Sequence, residues 1–249
     1  RIALSIVIRR ILADNLHFSE KVENLKPSGI RIFDNKVSEI PNIIKLTLGE
    51  PDLNTPEHVK KAAVKSIEEN DSHYAPQKGK KELLEAISRF LDKTIHVKYD
   101  PKSEIVATVG ATEAINVAIF ALFNPEDKIL VPTPVFSLYW PVANLAGVQY
   151  SLVNTASDDF KLTAEKLEEV VKNDPTSKGV ILNYPTNPTG VEYSHEEIKQ
   201  LAKIVEKYNL YVITDEIYSS LTYGVEHYSI ATEIPERTLY ISGLSKSHA

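Results

Sequence analysis

Short apolar runs alternate with amphipathic stretches along most of the chain, and this alternation limits the folds that the sequence can adopt. Five runs have the length and composition of β-strands, and they are EIVATV (104–109), KILV (128–131), GVILN (179–183), LYVIT (210–214) and TLYIS (238–242). The clearest helical pattern is SHEEIKQLAKIVEKYN, in which Ser194 and Glu197 form a capping box ahead of apolar residues at helical spacing. Strands that alternate with helices are typical of an α/β protein with a mainly parallel central sheet and helices on both faces.

Composition and charge exclude several functional classes. The 249 residues are 43% apolar, which is sufficient for one sizeable core and a smaller lobe, and the formal net charge is −6. This charge gives no electrostatic reason to expect nucleic acid or an acidic membrane as a partner, and we interpret KGKKE (78–82) as a solvent-exposed cluster. The chain has no cysteine, which excludes disulfides, thiolate metal sites and a cysteine nucleophile, and is compatible with a cytoplasmic protein.

The N-terminal region differs in composition from the rest of the chain. Its uncharged run, Ile2–Ile8, has seven residues, far fewer than the roughly 20 that span a bilayer. We therefore predict an arm that packs on the body of the protein or on a partner subunit. Short helix signals between prolines follow, up to a boundary that we place near Leu48.

Parallel sheets bind ligands beyond the carboxyl ends of their strands, so the residues that follow each run are candidates for a site. After the first run, Gly110 leads into a helix that begins near Ala111, and free backbone N–H groups at a helix start bind phosphate. A tight turn at Gly110 with Thr112 as a helix cap explains the same residues equally well. In NYPTNPTG, two prolines fix a loop that orients Asn187, although turn chemistry alone also accounts for this string.

Asp215, Tyr218 and Lys246 follow the last two runs. Asp215 ends an apolar strand and shares a face with Tyr218 if the chain makes a helical turn there, whereas a solvated or capping acid is the simpler alternative. Lys246 lies in the segment SGLSK, directly after an apolar strand. Together the strand ends offer a phosphate site, a carboxylate, a phenol, an amide and an amine. A phosphorylated pyridine aldehyde needs these groups for binding, electronic tuning and covalent attachment.

Six sequence motifs carry a resemblance to a known family. In chain order they are LGEPDLNTP, HYAPQKG, GATEA, NYPTNPTG, TDEIY and SGLSK. They resemble the class I and II aminotransferases of fold type I, which are pyridoxal phosphate enzymes related to aspartate aminotransferase, from about Ser28 to the last residue. The resemblance implies pyridoxal 5′-phosphate as the cofactor, residues 49–249 as the large cofactor-binding domain, and residues 1–48 as an N-terminal arm with the first part of a small domain.

The resemblance also implies three catalytic residues. Lys246 matches the lysine that forms a Schiff base with the cofactor and then carries a proton between cofactor and substrate, for which it must be neutral. Asp215 matches the carboxylate that keeps the pyridine nitrogen protonated. Tyr218 and Asn187 match the pair that hydrogen-bonds the phenolate oxygen of the cofactor, and Asn187 is also expected beside the substrate.

The cofactor phosphate has its own set of matched positions. Gly110, Ala111 and Thr112 match the phosphate-binding turn of the family. Relatives of the aspartate type often carry a serine at the position of Gly243, three residues before the lysine. Ser245 and Ser242 are the two candidates to replace that serine in phosphate binding, and we assign Ser245 to the cofactor.

The remaining matched positions surround the ring and the substrate. Phe136 matches the aromatic residue that stacks on the cofactor ring, and Gly49 matches a small residue beside the substrate carboxylate. Tyr74 resembles a tyrosine that reaches the phosphate from the neighbouring subunit, which implies a homodimer with a shared active site. The family also tends to carry cis peptide bonds before two prolines that match Pro134 and Pro188, and we predict both here.

The leading hypothesis is an aminotransferase that moves an amino group from an amino acid to a 2-oxo acid, with 2-oxoglutarate as the acceptor, by a ping-pong route through Lys246. The same motifs serve a β-lyase that cleaves carbon–sulfur bonds or a related elimination enzyme. A non-catalytic regulator that senses the cofactor is a third hypothesis, although the N-terminus offers no basic DNA-binding segment. The family continues past its lysine through two arginines that bind phosphate and the substrate carboxylate, so we expect this chain to be part of a longer protein.

Overall fold

The computed structural model describes residues 18–23, 25 and 29–248. The predicted N-terminal arm with its run Ile2–Ile8 therefore lies outside the described residues. The chain divides into two compact units, Arg1–Leu48 and Gly49–Ala249. In the first unit the described residues form the helices α1 (Glu20–Glu23) and α2 (Gly29–Val37). The assignment of the two units to a small and a large domain stays a prediction.

The second unit contains the other helices and all the strands of the described residues. Its helices are α3 (Glu57–Glu68), α4 (Lys81–Thr94), α5 (Gly110–Leu122), α6 (Tyr139–Ala146), α7 (Ala164–Asn173) and α8 (His195–Lys207). Its strands are β1 (Lys128–Thr133), β2 (Gln149–Asn154), β3 (Ser177–Asn183), β4 (Tyr211–Asp215) and β5 (Thr238–Ile241). Short 3₁₀ turns lie at Ala156–Asp158, Ser219–Leu221, Ile230–Thr232 and Pro235–Arg237.

The strands form one sheet in the order β2-β1-β3-β4-β5, and every neighbouring pair is parallel. This arrangement confirms the predicted α/β fold with a parallel central sheet. All carboxyl ends therefore lie at one edge. The direction of winding reverses at β1, which has β2 on one side and β3 on the other, and a crevice forms at such a point.

Four of the five predicted strands are confirmed to within a few residues, and they are β1, β3, β4 and β5. The prediction of a strand over 104–109 is wrong. These residues do not join the sheet, and the Ala107 N–H donates to Lys78 O instead. Their β-branched composition favours an extended chain, but a strand forms only beside another strand. The sequence reasoning also missed β2, because most of its side chains are exposed and it has no continuous apolar run.

Side chains of the central strands alternate between two apolar layers. On β3, Val180 and Leu182 pack in the layer that contains residues of α7 and α8, whereas Ile181 packs in the layer that contains residues of α5 and α6. Val212 and Ile213 of β4 likewise enter opposite layers. Burial on both faces explains why these strands are continuous apolar runs, and it confirms helices on both faces of the sheet.

The predicted capping box forms at the start of α8. The Glu197 N–H donates to Ser194 Oγ at 3.3 Å, and the Ser194 N–H donates to the Glu197 carboxylate at 2.7 Å. The buried face of α8 consists of Ile198, Leu201, Ala202 and Val205. The helices of the described residues are all too short or too polar to cross a membrane.

Candidate active site

Most of the predicted site residues lie after the carboxyl ends of β1, β3, β4 and β5. Phe136 follows β1, Asn187 follows β3, Asp215 ends β4, and Lys246 follows β5. The Thr133–Pro134 and Asn187–Pro188 peptide bonds are cis, which confirms both predicted cis bonds, and Tyr184–Pro185 is a third. The fold therefore brings these segments of the chain to one edge of one sheet.

Asp215 is the most enclosed of these residues, with 3% of its surface exposed. Tyr139 Oη donates to Asp215 Oδ2 at 2.7 Å, and the Ile217 N–H donates to Oδ1 at 3.3 Å. Burial raises the pKa of the Asp215 carboxyl, while the hydrogen bond from Tyr139 lowers it. A carboxylate in this state gains from a cationic partner, because such a partner offsets the cost of burying its charge.

Tyr139 is a site residue that the sequence reasoning missed. It opens α6, its side chain is fully buried, and its ring contacts Phe136 edge to face with the ring centroids 6.1 Å apart. Burial and the neighbouring Asp215 charge raise the pKa of this phenol well above its ordinary value, so it stays protonated and donates. No spacing rule links positions 139 and 215, and the only available signal was that a buried tyrosine hydroxyl needs an acceptor.

Asn183 supports both Asp215 and Asn187 from the end of β3. Its Nδ2 donates to Asp215 O at 2.9 Å, and its Oδ1 accepts the Asn187 N–H at 2.9 Å. Asn187 Nδ2 in turn lies 3.5 Å from Tyr218 Oη. Burial raises the pKa of the Tyr218 phenol. The structure thus brings Asn187 and Tyr218 together as the sequence predicted for a pair that shares one ligand oxygen.

Lys246 lies close to two of the other predicted residues. Its Nζ is 5.8 Å from the centroid of the Tyr218 ring and donates to Gly49 O at 2.7 Å. Tyr218 follows β4 and Lys246 follows β5, and Asp215 is paired with Ile241 in the register of these two strands. The amine and the carboxylate therefore follow adjacent strands at the same edge, which is the arrangement that a ligand held by both requires.

The predicted phosphate turn forms the start of α5. Gly110 has a φ of 80° and is the first residue of the helix, followed by Ala111 and Thr112. A Cβ on Gly110 would meet no heavy atom within 4 Å, so the space beside this turn is open. The Val109 N–H donates to the Glu113 carboxylate. The helix start thus keeps the backbone geometry that suits an anion, with one acidic side chain close by.

Tyr74 and Ser245 are not brought into contact with these groups. Both are exposed, and the Tyr74 side chain is fully so. Among the described residues, no hydrogen bond or ring contact links either side chain to Asp215, Tyr218 or Lys246. Their predicted roles at the phosphate stay predictions.

The chain is similar in sequence to a known protein family. The sequence model of the family described as aminotransferase class I and II matches residues 41–249. The chain belongs to this family. The family assignment confirms the resemblance inferred from the six motifs, and pyridoxal phosphate is the cofactor of class I and II aminotransferases.

Named relatives within the family include bacterial and archaeal aminotransferases. The chain is 44% identical over 229 residues to a probable N-acetyl-LL-diaminopimelate aminotransferase of Bacillus subtilis, and the match covers 92% of this chain and 58% of the relative. It is 37% identical over 232 residues to a probable aspartate aminotransferase of Methanocaldococcus jannaschii, with 93% and 60% covered. The chain thus spans about 60% of the length of such relatives.

Solved structures of aminotransferases share the fold. A Thermus thermophilus aspartate aminotransferase with maleate superposes with a TM-score of 0.88 at 32% identity, and the match covers 94% of this chain and 62% of that one. An aspartate aminotransferase from Rhizobium meliloti gives 0.87 at 29% identity, with 94% and 60% covered.

The residues of this family member fit pyridoxal phosphate. The buried Asp215 carboxylate suits a protonated ring nitrogen, and the Tyr218 and Asn187 pair suits the phenolate oxygen of the ring. Lys246 supplies the only kind of side chain that forms a Schiff base with an aldehyde. The open turn at Gly110 suits the phosphate.

Proposed function

We propose that this chain forms the cofactor-binding part of a pyridoxal phosphate-dependent aminotransferase that moves an amino group from an amino acid to a 2-oxo acid. We take 2-oxoglutarate as the acceptor. The observation that carries the proposal is the position of the buried Asp215, held by Tyr139, on the strand beside the one that leads to Lys246. The names of the relatives point to the same reaction class.

Each of these residues has a distinct task in the proposal. Bound pyridoxal phosphate supplies an aldehyde that exchanges amino groups and a ring that withdraws electrons from the substrate Cα. Asp215 holds a proton on the ring nitrogen, because its buried carboxylate is stabilised by a cation. Lys246 is the amine that would hold the cofactor covalently at its aldehyde, and as a free amine it would move the proton at the substrate Cα.

Tyr218, Asn187 and Phe136 orient the ring in this scheme. Tyr218 Oη and Asn187 Nδ2 lie 3.5 Å apart and can donate to one ring oxygen. Phe136 follows β1 and is held edge to face by Tyr139, so its ring is available for stacking. Gly110, Ala111, Thr112 and Ser245 are assigned to the phosphate, and Gly49 to the substrate carboxylate.

We also propose that the protein works as a homodimer in the cytoplasm. The fully exposed Tyr74 side chain supports a contact with the neighbouring subunit's site, since an aromatic ring gains from burial. Val117 and Phe120 on α5 are also more than half exposed and are suited to a subunit interface. The lack of cysteine is compatible with a reducing compartment.

The test uses the full chain with added pyridoxal phosphate. Wild-type protein should bind the cofactor in a form that borohydride fixes to Lys246, and it should form glutamate from 2-oxoglutarate with one or more amino acid donors. A donor alone should convert the cofactor to its amine form, as a ping-pong route requires. Pyruvate from cystathionine without any acceptor would instead favour the carbon–sulfur lyase, and failure of both reactions together with no fixed cofactor would contradict the proposal.

A further inference from the structure

A second buried carboxylate, Glu216, lies directly after Asp215 and has no task in the proposed reaction. Its side chain is completely buried. Three side chains donate to it, and they are Thr214 at 2.8 Å, Ser229 at 2.7 Å and His227 at 2.7 Å. These donors supply hydrogen bonds to both oxygens of the buried carboxyl group, and hydrogen bonds of this kind stabilise negative charge there.

His227 joins Glu216 to a third acidic residue. Its Nε2 faces Glu216 Oε2 at 2.7 Å, and its Nδ1 faces Glu192 Oε2 at 3.1 Å. The side chains of His227 and Glu192 are 8% and 10% exposed. Each ring nitrogen thus faces a carboxylate oxygen, and only the doubly protonated imidazolium donates from both nitrogens.

The charge state of His227 depends on the groups around the cluster that Glu192, His227 and Glu216 form. Burial lowers the pKa of the imidazole, but the hydrogen bonds and charges of Glu192 and Glu216 outweigh burial and raise it to about 9. The ring of Tyr184 lies over His227, with the centroids 5.4 Å apart. Tyr99, Tyr184 and Tyr240 sense the Glu216 charge from other parts of the chain, and Asp215 senses it as the preceding residue. None of these phenols is ionised at neutral pH, since the pKa of each is raised.

The cluster is coupled to the candidate site through the backbone. The Glu216 N–H donates to Ile241 O at 2.9 Å, at the end of β5, and Ser219 N–H donates to Glu216 O at 3.0 Å. Glu216 therefore connects the end of β4 with the strand that leads to Lys246 and with the turn that holds Tyr218. The negative charge of Glu216 also raises the pKa of Asp215.

We propose that His227, as a cation held between Glu192 and Glu216, is a positioning residue that fixes the carboxyl end of β4 and keeps Asp215 ionised. The expected effect of His227 on the reaction rate rests on the proposed function, whereas its effect on the ionisation of Asp215 does not. Without the imidazolium, Glu216 would be a buried charge with two neutral donors, and its repulsion would favour the protonated form of Asp215.

The experiment compares wild type with His227→Asn and His227→Gln in the full chain. Gln places an amide N–H near the position of Nε2 and can still donate to Glu216, whereas Asn can donate only toward Glu192. Glu192→Gln removes one carboxylate and keeps the bond to Glu216. His195→Asn is the matched control, because His195 is exposed and stacks on Tyr228, next to His227, without contacting the carboxylates.

The first readout needs no cofactor. The carbon-13 carboxyl resonance of Asp215, identified by its loss in Asp215→Asn, should titrate at higher pH in His227→Asn than in wild type, with His227→Gln between them and the control unchanged.

In the cofactor-loaded enzyme, His227→Asn should lower kcat about tenfold with the donor KM unchanged. The pH dependence of the cofactor absorbance should shift as well.

The outcomes separate this inference from the proposed function. If Asp215 titrates alike in wild type and both His227 variants, the inference is overturned, whether or not the protein transfers amino groups. If the Asp215 titration shifts as expected in a protein that shows no transfer with any donor, the positioning role stands and the proposed function fails. Should His227→Asn not fold, the same titration in His227→Gln decides the question, since Gln keeps a donor to the buried Glu216.

Discussion

The proposed chemistry depends on Asp215 at the end of β4 and on Lys246 in the loop after β5. These two residues differ in how far they are buried. Asp215 is 3% exposed, and its side chain accepts hydrogen bonds from Tyr139 and Ile217. Lys246 is partly exposed, and its amine donates to one backbone oxygen, that of Gly49. The carboxylate is thus fixed by the core, whereas the amine is placed by a surface loop.

This difference matches the demands that the proposed reaction makes on the two groups. A group that stabilises a charge acts best when it is already oriented, because no reorganisation is then needed during the reaction. A group that must bind an aldehyde, leave it and then move a proton needs freedom to change position.

The largest effect is expected from Lys246→Ala. The activity should fall by about 10³-fold or more, because both covalent attachment and proton transfer are lost. The free energy of unfolding should change by no more than about 0.5 kcal/mol, since the side chain lies in an exposed loop. Steady-state kinetics and thermal unfolding of the cofactor-free protein check the two parts. A large loss of stability would show that the loop after β5 is as much a part of the core as β4.

A smaller loss of activity is expected from Asp215→Asn, about 10²-fold, because the ring nitrogen loses its anionic partner. Thermal unfolding of the cofactor-free protein at pH 8 should show a midpoint no lower than that of wild type. The raised pKa of Asp215 means that its ionisation costs stability as pH rises above its ordinary value of 3.8, and Asn removes this cost. The relative advantage of Asn should therefore shrink as the pH falls. Marked destabilisation at pH 8 would contradict the raised pKa.

Tyr139→Phe should have the smallest effect on rate, about tenfold, and a clear effect on stability. The substitution removes the 2.7 Å hydrogen bond to Asp215 and leaves a buried carboxylate with one donor fewer, which costs roughly 1–3 kcal/mol. Denaturant unfolding at neutral pH measures this cost. The cost should be smaller in the Asp215→Asn background, where Tyr139 donates to a neutral amide oxygen, and a double-mutant cycle that gives additive values would disprove the coupling.

Sequence reasoning predicted well those features that depend on short stretches of the chain. Four strands and the capping box at Ser194 follow from local patterns, the two cis bonds follow from the resemblance of short motifs to the aminotransferase family, and the structure has them all. The run at 104–109 has the composition of a strand but pairs with no other strand, and composition alone does not report pairing.

In the candidate site, too, residues in short motifs could be proposed from the sequence, and contacts between distant residues could not. Asp215, Tyr218, Asn187 and Lys246 could be proposed as site residues because each belongs to a short motif, whereas the residues that support them could not. Tyr139 contacts Asp215 from 76 residues away, and His227 joins Glu192 and Glu216 across two loops. Contacts between distant positions depend on how the layers pack, which one sequence without its relatives does not specify.

The alternation of side chains along β4 has a consequence for changes in chain length. Thr214 and Glu216 point to one face of the sheet and Asp215 to the other, since the Glu216 carboxylate meets Thr214 and Ser229 while Asp215 meets Tyr139. Deleting one residue within Tyr211–Asp215 would move Glu216 to the place of Asp215, facing Tyr139, and inserting one would move Asp215 to the place of Glu216, facing His227. Conservative point substitutions in this strand leave each acid on its own face of the sheet. A one-residue deletion does not, even if every remaining residue is unchanged.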